Sequence, residues 1–99
     1  MDYDSYAAKY ERFVEEKCRA FVDFPYTVVA LNEEAGEVAG WYKKAVLRGD
    51  TNFTELGLQR EMGDVLFYLV KMAHLKGWTL EDIMQENMLK LEKRGDKIG

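Results

Sequence analysis

A single proline, Pro25, interrupts a chain in which apolar residues recur at steps of three and four almost from end to end. That spacing repeats once per helical turn, and no stretch alternates apolar with polar as a half-buried strand would. The expectation is an all-α fold of four helices, at about residues 4–22, 27–47, 54–76 and 80–94. Tyr6, Tyr10, Phe13, Val14, Cys18 and Phe21 mark the inner face of the first, with Asp4 or Ser5 available to cap it. The residue before a proline avoids the helical region, so a break is expected between Asp23 and Tyr26. Gly49 and Gly77 stand where left-handed caps would end the second and third helices. Thr54 is placed to cap the third, and Thr79-Leu80-Glu81-Asp82 has the form of a capping box for the fourth.

Within the second and third helices lie two acidic pairs. Glu34 and Glu37 are three residues apart, as are Glu61 and Asp64, so each pair can aim two carboxylates at one point. Like charges so placed repel, which costs stability unless a cation relieves it. Mg²⁺ is the natural candidate, because it prefers hard oxygen ligands and is usually held by one or two carboxylates together with substrate phosphates. At ~100° per residue, Leu31, Ala35, Val38, Tyr42 and Ala45 form an apolar stripe on the second helix, flanked by Glu34, Glu37 and Trp41. Met62, Leu66, Leu69 and Ala73 form the matching stripe on the third, flanked by Glu61, Asp64 and Tyr68. Packing through these stripes would bring the four carboxylates together. Glu33 points nearly the other way. Gly36 and Gly63 inside the clusters suggest a close helix approach or room for a ligand.

The fourth helix aligns Asn87, Lys90 and Arg94 within ~60° of arc. One amide and two cations suit a phosphate with a sugar or base edge. Lys43, Lys44 and Arg48 crowd the end of the second helix, where they complement its dipole. His74, the sole histidine, reads as a surface or cap residue. With 99 residues the chain is expected to be one domain, 1–99, short of the area that makes a monomer comfortably stable, so association is expected. Its 18 acidic and 14 basic residues leave a net charge of −4, with no basic block to mark a nucleic-acid surface. A lone Cys18, expected in the core, offers no intrachain disulfide, and no apolar run is long enough to span a membrane. These features point to the cytoplasm, with neither a nucleic-acid polymer nor a membrane as partner.

Glu33-Glu34-x-x-Glu37, a gap covering residues 38 through 60, then Glu61-x-x-Asp64 resembles the E-E-x-x-E…E-x-x-D signature of the MazG-like all-α nucleoside triphosphate pyrophosphohydrolases. The similarity runs on through Asp64-Val65-Leu66-Phe67-Tyr68-Leu69, the turn from Gly77 to Ile83, and Asn87-x-x-Lys90-x-x-x-Arg94. It covers residues 28–94. The resemblance implies a dimer or dimer of dimers, with Mg²⁺ (or Mn²⁺ in its stead) held by Glu34, Glu37, Glu61 and Asp64. It implies hydrolysis of a (d)NTP between the α and β phosphorus atoms to a monophosphate and pyrophosphate, in a role clearing non-standard nucleotides. Glu33 would then be an auxiliary ligand or orient the water, while Asn87, Lys90 and Arg94 hold phosphates or sugar, if need be across a subunit boundary. Trp41 and Tyr68, on the acidic flanks, are the aromatics best placed to meet a base. Relatives acting on dCTP, dUTP or phosphoribosyl-ATP, and a non-catalytic helical interaction module, are the competing readings.

Overall fold

The computed structural model describes residues 3–17 and 24–94. Four helices follow one another: α1 (Tyr3–Lys17), α2 (Phe24–Tyr42), α3 (Glu55–Leu75) and α4 (Leu80–Lys93), with a π-helical turn over Lys43–Leu47 extending α2. The caps expected for α3 and α4 form, whereas Asp4 and Ser5 lie inside α1, which already includes Tyr3, so neither stands at its N-cap. Thr54 Oγ1 accepts from the Gly57 amide at 3.1 Å, and Thr79 and Asp82 exchange both capping-box bonds at 3.1 and 2.9 Å. Gly77, at φ +78, closes α3. Its amide donates to the His74 carbonyl at 2.9 Å, and the Trp78 amide reaches back to Ala73 at 2.9 Å. That is the Schellman arrangement, which only a left-handed residue at position 77 permits.

Two expectations about helix ends are corrected, and a third falls outside the described residues. α2 begins at Phe24 rather than Thr27, because Pro25 sits in the first turn, where a missing N–H goes unneeded and its fixed φ already suits a helix. The end of α2 widens to i→i+5 bonding, with the Arg48 amide on the Lys43 carbonyl at 3.0 Å. The helix one expected to reach residue 22 ends its described part at Lys17, and the expectations for Cys18, Phe21 and Asp23 fall outside the described residues.

α2 and α3 form an antiparallel hairpin, which is the principal packing of the chain, and α1 lies against α3. At the loop end of the hairpin the Trp41 indole N–H donates to the Thr54 carbonyl at 2.7 Å. At the far end Lys76 lies 4.5 Å from the centre of the Phe24 ring. Between them Lys71, only 4% exposed, sets its ammonium 5.8 Å from the ring centres of both Tyr26 and Tyr68. The core among the described residues is small: Val14 of α1 meets Val70 of α3, with Tyr10, Phe67 and Leu80 around them.

The apolar stripes expected to form the hairpin contact are covered only in part: Ala73 is buried and Leu31, Val38 and Ala45 are half-buried, but the rest stays open. Ala35 is exposed, and Tyr42, Met62, Leu66 and Leu69 are 53%, 56%, 39% and 43% exposed. Instead they flank an open apolar groove lined by Ala35, Val38, Met62, Val65, Leu66 and Leu69. α4 is similarly bare, every residue but Leu80 and Leu91 being exposed.

Candidate metal centre

The hairpin turns its other long face to the acidic residues. Because α2 and α3 run antiparallel, the middle of α2 lies opposite the first half of α3. One carboxylate oxygen each from Glu34, Glu61 and Asp64 lie within 4.8 Å of one another. All three donors are hard oxygens, the set that suits Mg²⁺ or Mn²⁺. Glu34 and Glu61 are half-buried and Asp64 is exposed. The Glu34 carboxyl is raised above its ordinary value, first by burial and then by the charges of Asp64, Glu61, Glu33 and Glu37. A group held against its own ionisation by four acidic neighbours is a place where a divalent ion relieves repulsion.

Glu37 stands outside the group of three, exposed one turn along α2, although its charge reaches Glu34. Glu33 is exposed as well, as its facing on an ideal helix requires. Trp41 is committed to the hairpin loop through Thr54, and a Cβ at Gly57 would stand 3.8 Å from its indole nitrogen. Tyr68 is half-buried between Phe67, whose ring it meets edge-on at 5.3 Å, and the Lys71 ammonium. Lys44 spends its charge over the Phe53 ring at 5.1 Å. Asn87, Lys90 and Arg94 are all exposed on α4. Nothing lies within 4 Å of where a side chain would begin at Gly36 or Gly63, so the close approach expected there is not made within one chain.

Two residues escape the sequence pattern: Tyr10, beside the cluster, and Lys71, buried farther along α3. The Tyr10 phenol of α1 is pushed up by burial and by the Asp64 charge, which puts the first helix beside the carboxylates. Nothing in the spacing of α1 announces a neighbour 54 positions away. Lys71 follows Asp64 by seven residues, two turns along the same line of α3, and that register was the available signal.

Residues 25–98 match the model of the MazG nucleotide pyrophosphohydrolase domain. The chain belongs to the MazG family. Its α2–α3 carboxylates, the α3–α4 turn and α4 all fall within the match, whereas α1 precedes it. This MazG-family chain is also similar to the Gene 37 protein of Mycobacterium phage L5, 32% identical over 83 residues that cover 81% of this chain and 73% of the phage protein. No solved structure matches significantly. Among the described residues no helix is long and apolar enough to cross a membrane.

Proposed function

We propose that this MazG-family chain is a Mg²⁺-dependent pyrophosphohydrolase that cleaves a (d)NTP to its monophosphate and pyrophosphate. The observation that carries the reading is the convergence of Glu34, Glu61 and Asp64 within 4.8 Å, on a hairpin that the family match spans. These three would hold the ion, with Glu37 the nearest further carboxylate. A divalent ion bound there supplies charge neutralisation of the triphosphate and a water of lowered pKa. The chain's own part is positional. Ionised Glu34 and its neighbours keep a substrate triphosphate away unless it arrives with its cation. Glu33, whose charge also acts on Glu34, would orient an attacking water. The bond broken lies between the α-phosphorus and the bridging oxygen to the β-phosphorus, so positioning and electrostatics suffice without a nucleophilic side chain.

The same reading includes assembly, through the open groove. The chain exposes 7965 Å², about 2,000 Å² more than the roughly 5,800 Å² that size scaling gives a folded monomer of this length. Its radius of gyration, 15.7 Å, exceeds the ~12.6 Å of a compact chain of 99 residues. A second copy on the Met62–Leu66–Leu69 face would bury an area in the range of stable interfaces. It would also supply a route by which one copy's Asn87, Lys90 and Arg94 reach the other's carboxylates. A cytoplasmic role in clearing non-standard nucleotides follows from the family reading.

Product analysis tests the proposal: purified protein with Mg²⁺ against a panel of natural and modified (d)NTPs. The expected products are monophosphate and pyrophosphate, lost with EDTA. Turnover of dCTP, dUTP or phosphoribosyl-ATP alone narrows the substrate. Diphosphate with free phosphate as products, or no turnover of any nucleotide, overturns the reading.

A further inference from the structure

A cleft of about 480 Å³ opens where α1 meets the α3–α4 turn, away from the carboxylate cluster. One wall is a single face of α1: Ala8, Glu11, Arg12 and Glu15 follow the three-and-four spacing that aligns side chains along a helix. Val70 of α3 belongs to the lining, buried, and His74 and the half-exposed indole of Trp78 complete the opposite side. The walls are tied together before any ligand arrives. Glu11 Oε2 accepts from the Leu80 amide at 3.3 Å, joining α1 to the first turn of α4, and the Schellman turn fixes Trp78.

We propose that this cleft is a metal-independent binding site for a purine mononucleotide, with guanine preferred. Its size falls in the range of small-molecule sites. Trp78 offers a flat apolar face for a base to stack on. A carboxylate beside that face selects a ring edge with two adjacent N–H donors, because an ionised carboxylate has two acceptors and no donor. Guanine presents such an edge in N1–H and its exocyclic amine, whereas neutral adenine presents a donor next to an acceptor. Glu15, whose oxygens carry no bond to α4, is the carboxylate assigned to that edge. Arg12, exposed on the α1 wall, supplies the fork that suits a phosphate. His74 lies ten residues beyond Asp64 on α3, about 15 Å along the axis, so the occupant is a second nucleotide rather than the base of the one cleaved. The α1 wall precedes the family match, while Val70, His74 and Trp78 lie within it.

The site stands apart from the catalytic reading, and its test is run in EDTA. Calorimetry and Trp emission would follow titration of the full chain with GMP, IMP and AMP. The expected result is binding of GMP without metal, roughly tenfold or more tighter than AMP. Glu15→Gln should weaken GMP while sparing AMP, and Arg12→Ala should weaken every nucleotide but not the free nucleosides. Both positions are exposed, so both variants are expected to keep the wild-type circular dichroism. An Asp64→Asn chain should bind GMP unchanged. The proposal is overturned if no mononucleotide binds in EDTA, if binding ignores both α1 substitutions, or if it needs Mg²⁺ and disappears with Asp64→Asn.

Discussion

The two long faces of the α2–α3 hairpin are built from the same helices and differ in everything else. One carries Glu34, Glu61 and Asp64, flanked by Tyr68 and the buried Lys71, with Tyr10 of α1 drawn against it. The other carries Met62, Leu66 and Leu69, exposed around an open groove that α1 borders only at Leu66, through Tyr6, Ala7 and Tyr10. An isolated acidic face would only cost stability, and an isolated apolar face would only invite aggregation. The contrast teaches that neither face is explained by the folding of one chain. Each is left unsatisfied for something that binds it: on this account a divalent ion with a triphosphate on the first, and a second copy on the second.

The sharpest way to break this contrast is to remove one ligand. Asp64→Asn should lower nucleotide turnover at least about a hundredfold, measured by pyrophosphate release, while leaving sedimentation unchanged because Asp64 is exposed on the acidic face. On the other face, Leu66→Glu would place a charge in the proposed interface. Sedimentation should then show a shift toward monomer, with a cost of roughly 2 kcal/mol or more from burying an unpaired charge. A monomer that keeps full turnover would detach the two faces entirely.

A smaller effect concerns pH. The raised Glu34 carboxyl binds its proton more tightly in the folded than in the unfolded chain. Its contribution to metal-free stability is therefore present below the unfolded carboxylate value and is lost as pH rises through the higher folded one. A cation competes with that proton. The rise in Tm produced by Mg²⁺ should thus be larger at pH 7.5 than at pH 5, and Glu34→Gln should abolish the difference. At saturation near 100 times Kd the Mg²⁺ stabilisation is about 2.7 kcal/mol. Smallest of all is a change that touches neither face. Thr79→Ala removes the hydroxyl half of the α4 capping box and should cost ~1 kcal/mol in thermal unfolding, with turnover retained.

Local chemistry was what the sequence made legible. Thr54, Thr79 with Asp82, Gly49 and Gly77 each act within a few residues of themselves, and all form the expected ends. Three of the four acidic positions were readable, because residues three apart share a face whatever the tertiary context, but Glu37, expected with them, stands outside the group. What failed was the step from one helix to two. The Met62–Leu66–Leu69 stripe was read as the hairpin contact because apolar residues are assumed to meet inside their own chain. The hairpin instead closes through Trp41 with Thr54 and through Lys71 between Tyr26 and Tyr68, contacts of mixed polarity that a hydrophobic pattern does not rank. Pro25 misled in a similar way. It was read as a breaker, whereas its place in the first turn made it a starter. The approach of Tyr10 to Asp64 had no local signal at all.

Mn²⁺ binding, followed by the loss of free-ion electron paramagnetic resonance signal as protein is added, tests the central claim most directly. Saturable binding by the wild-type chain is expected, which Glu34→Gln and Asp64→Asn each abolish and Leu66→Glu leaves intact. A wild-type chain that binds no Mn²⁺, or whose binding survives both carboxylate substitutions, would contradict it.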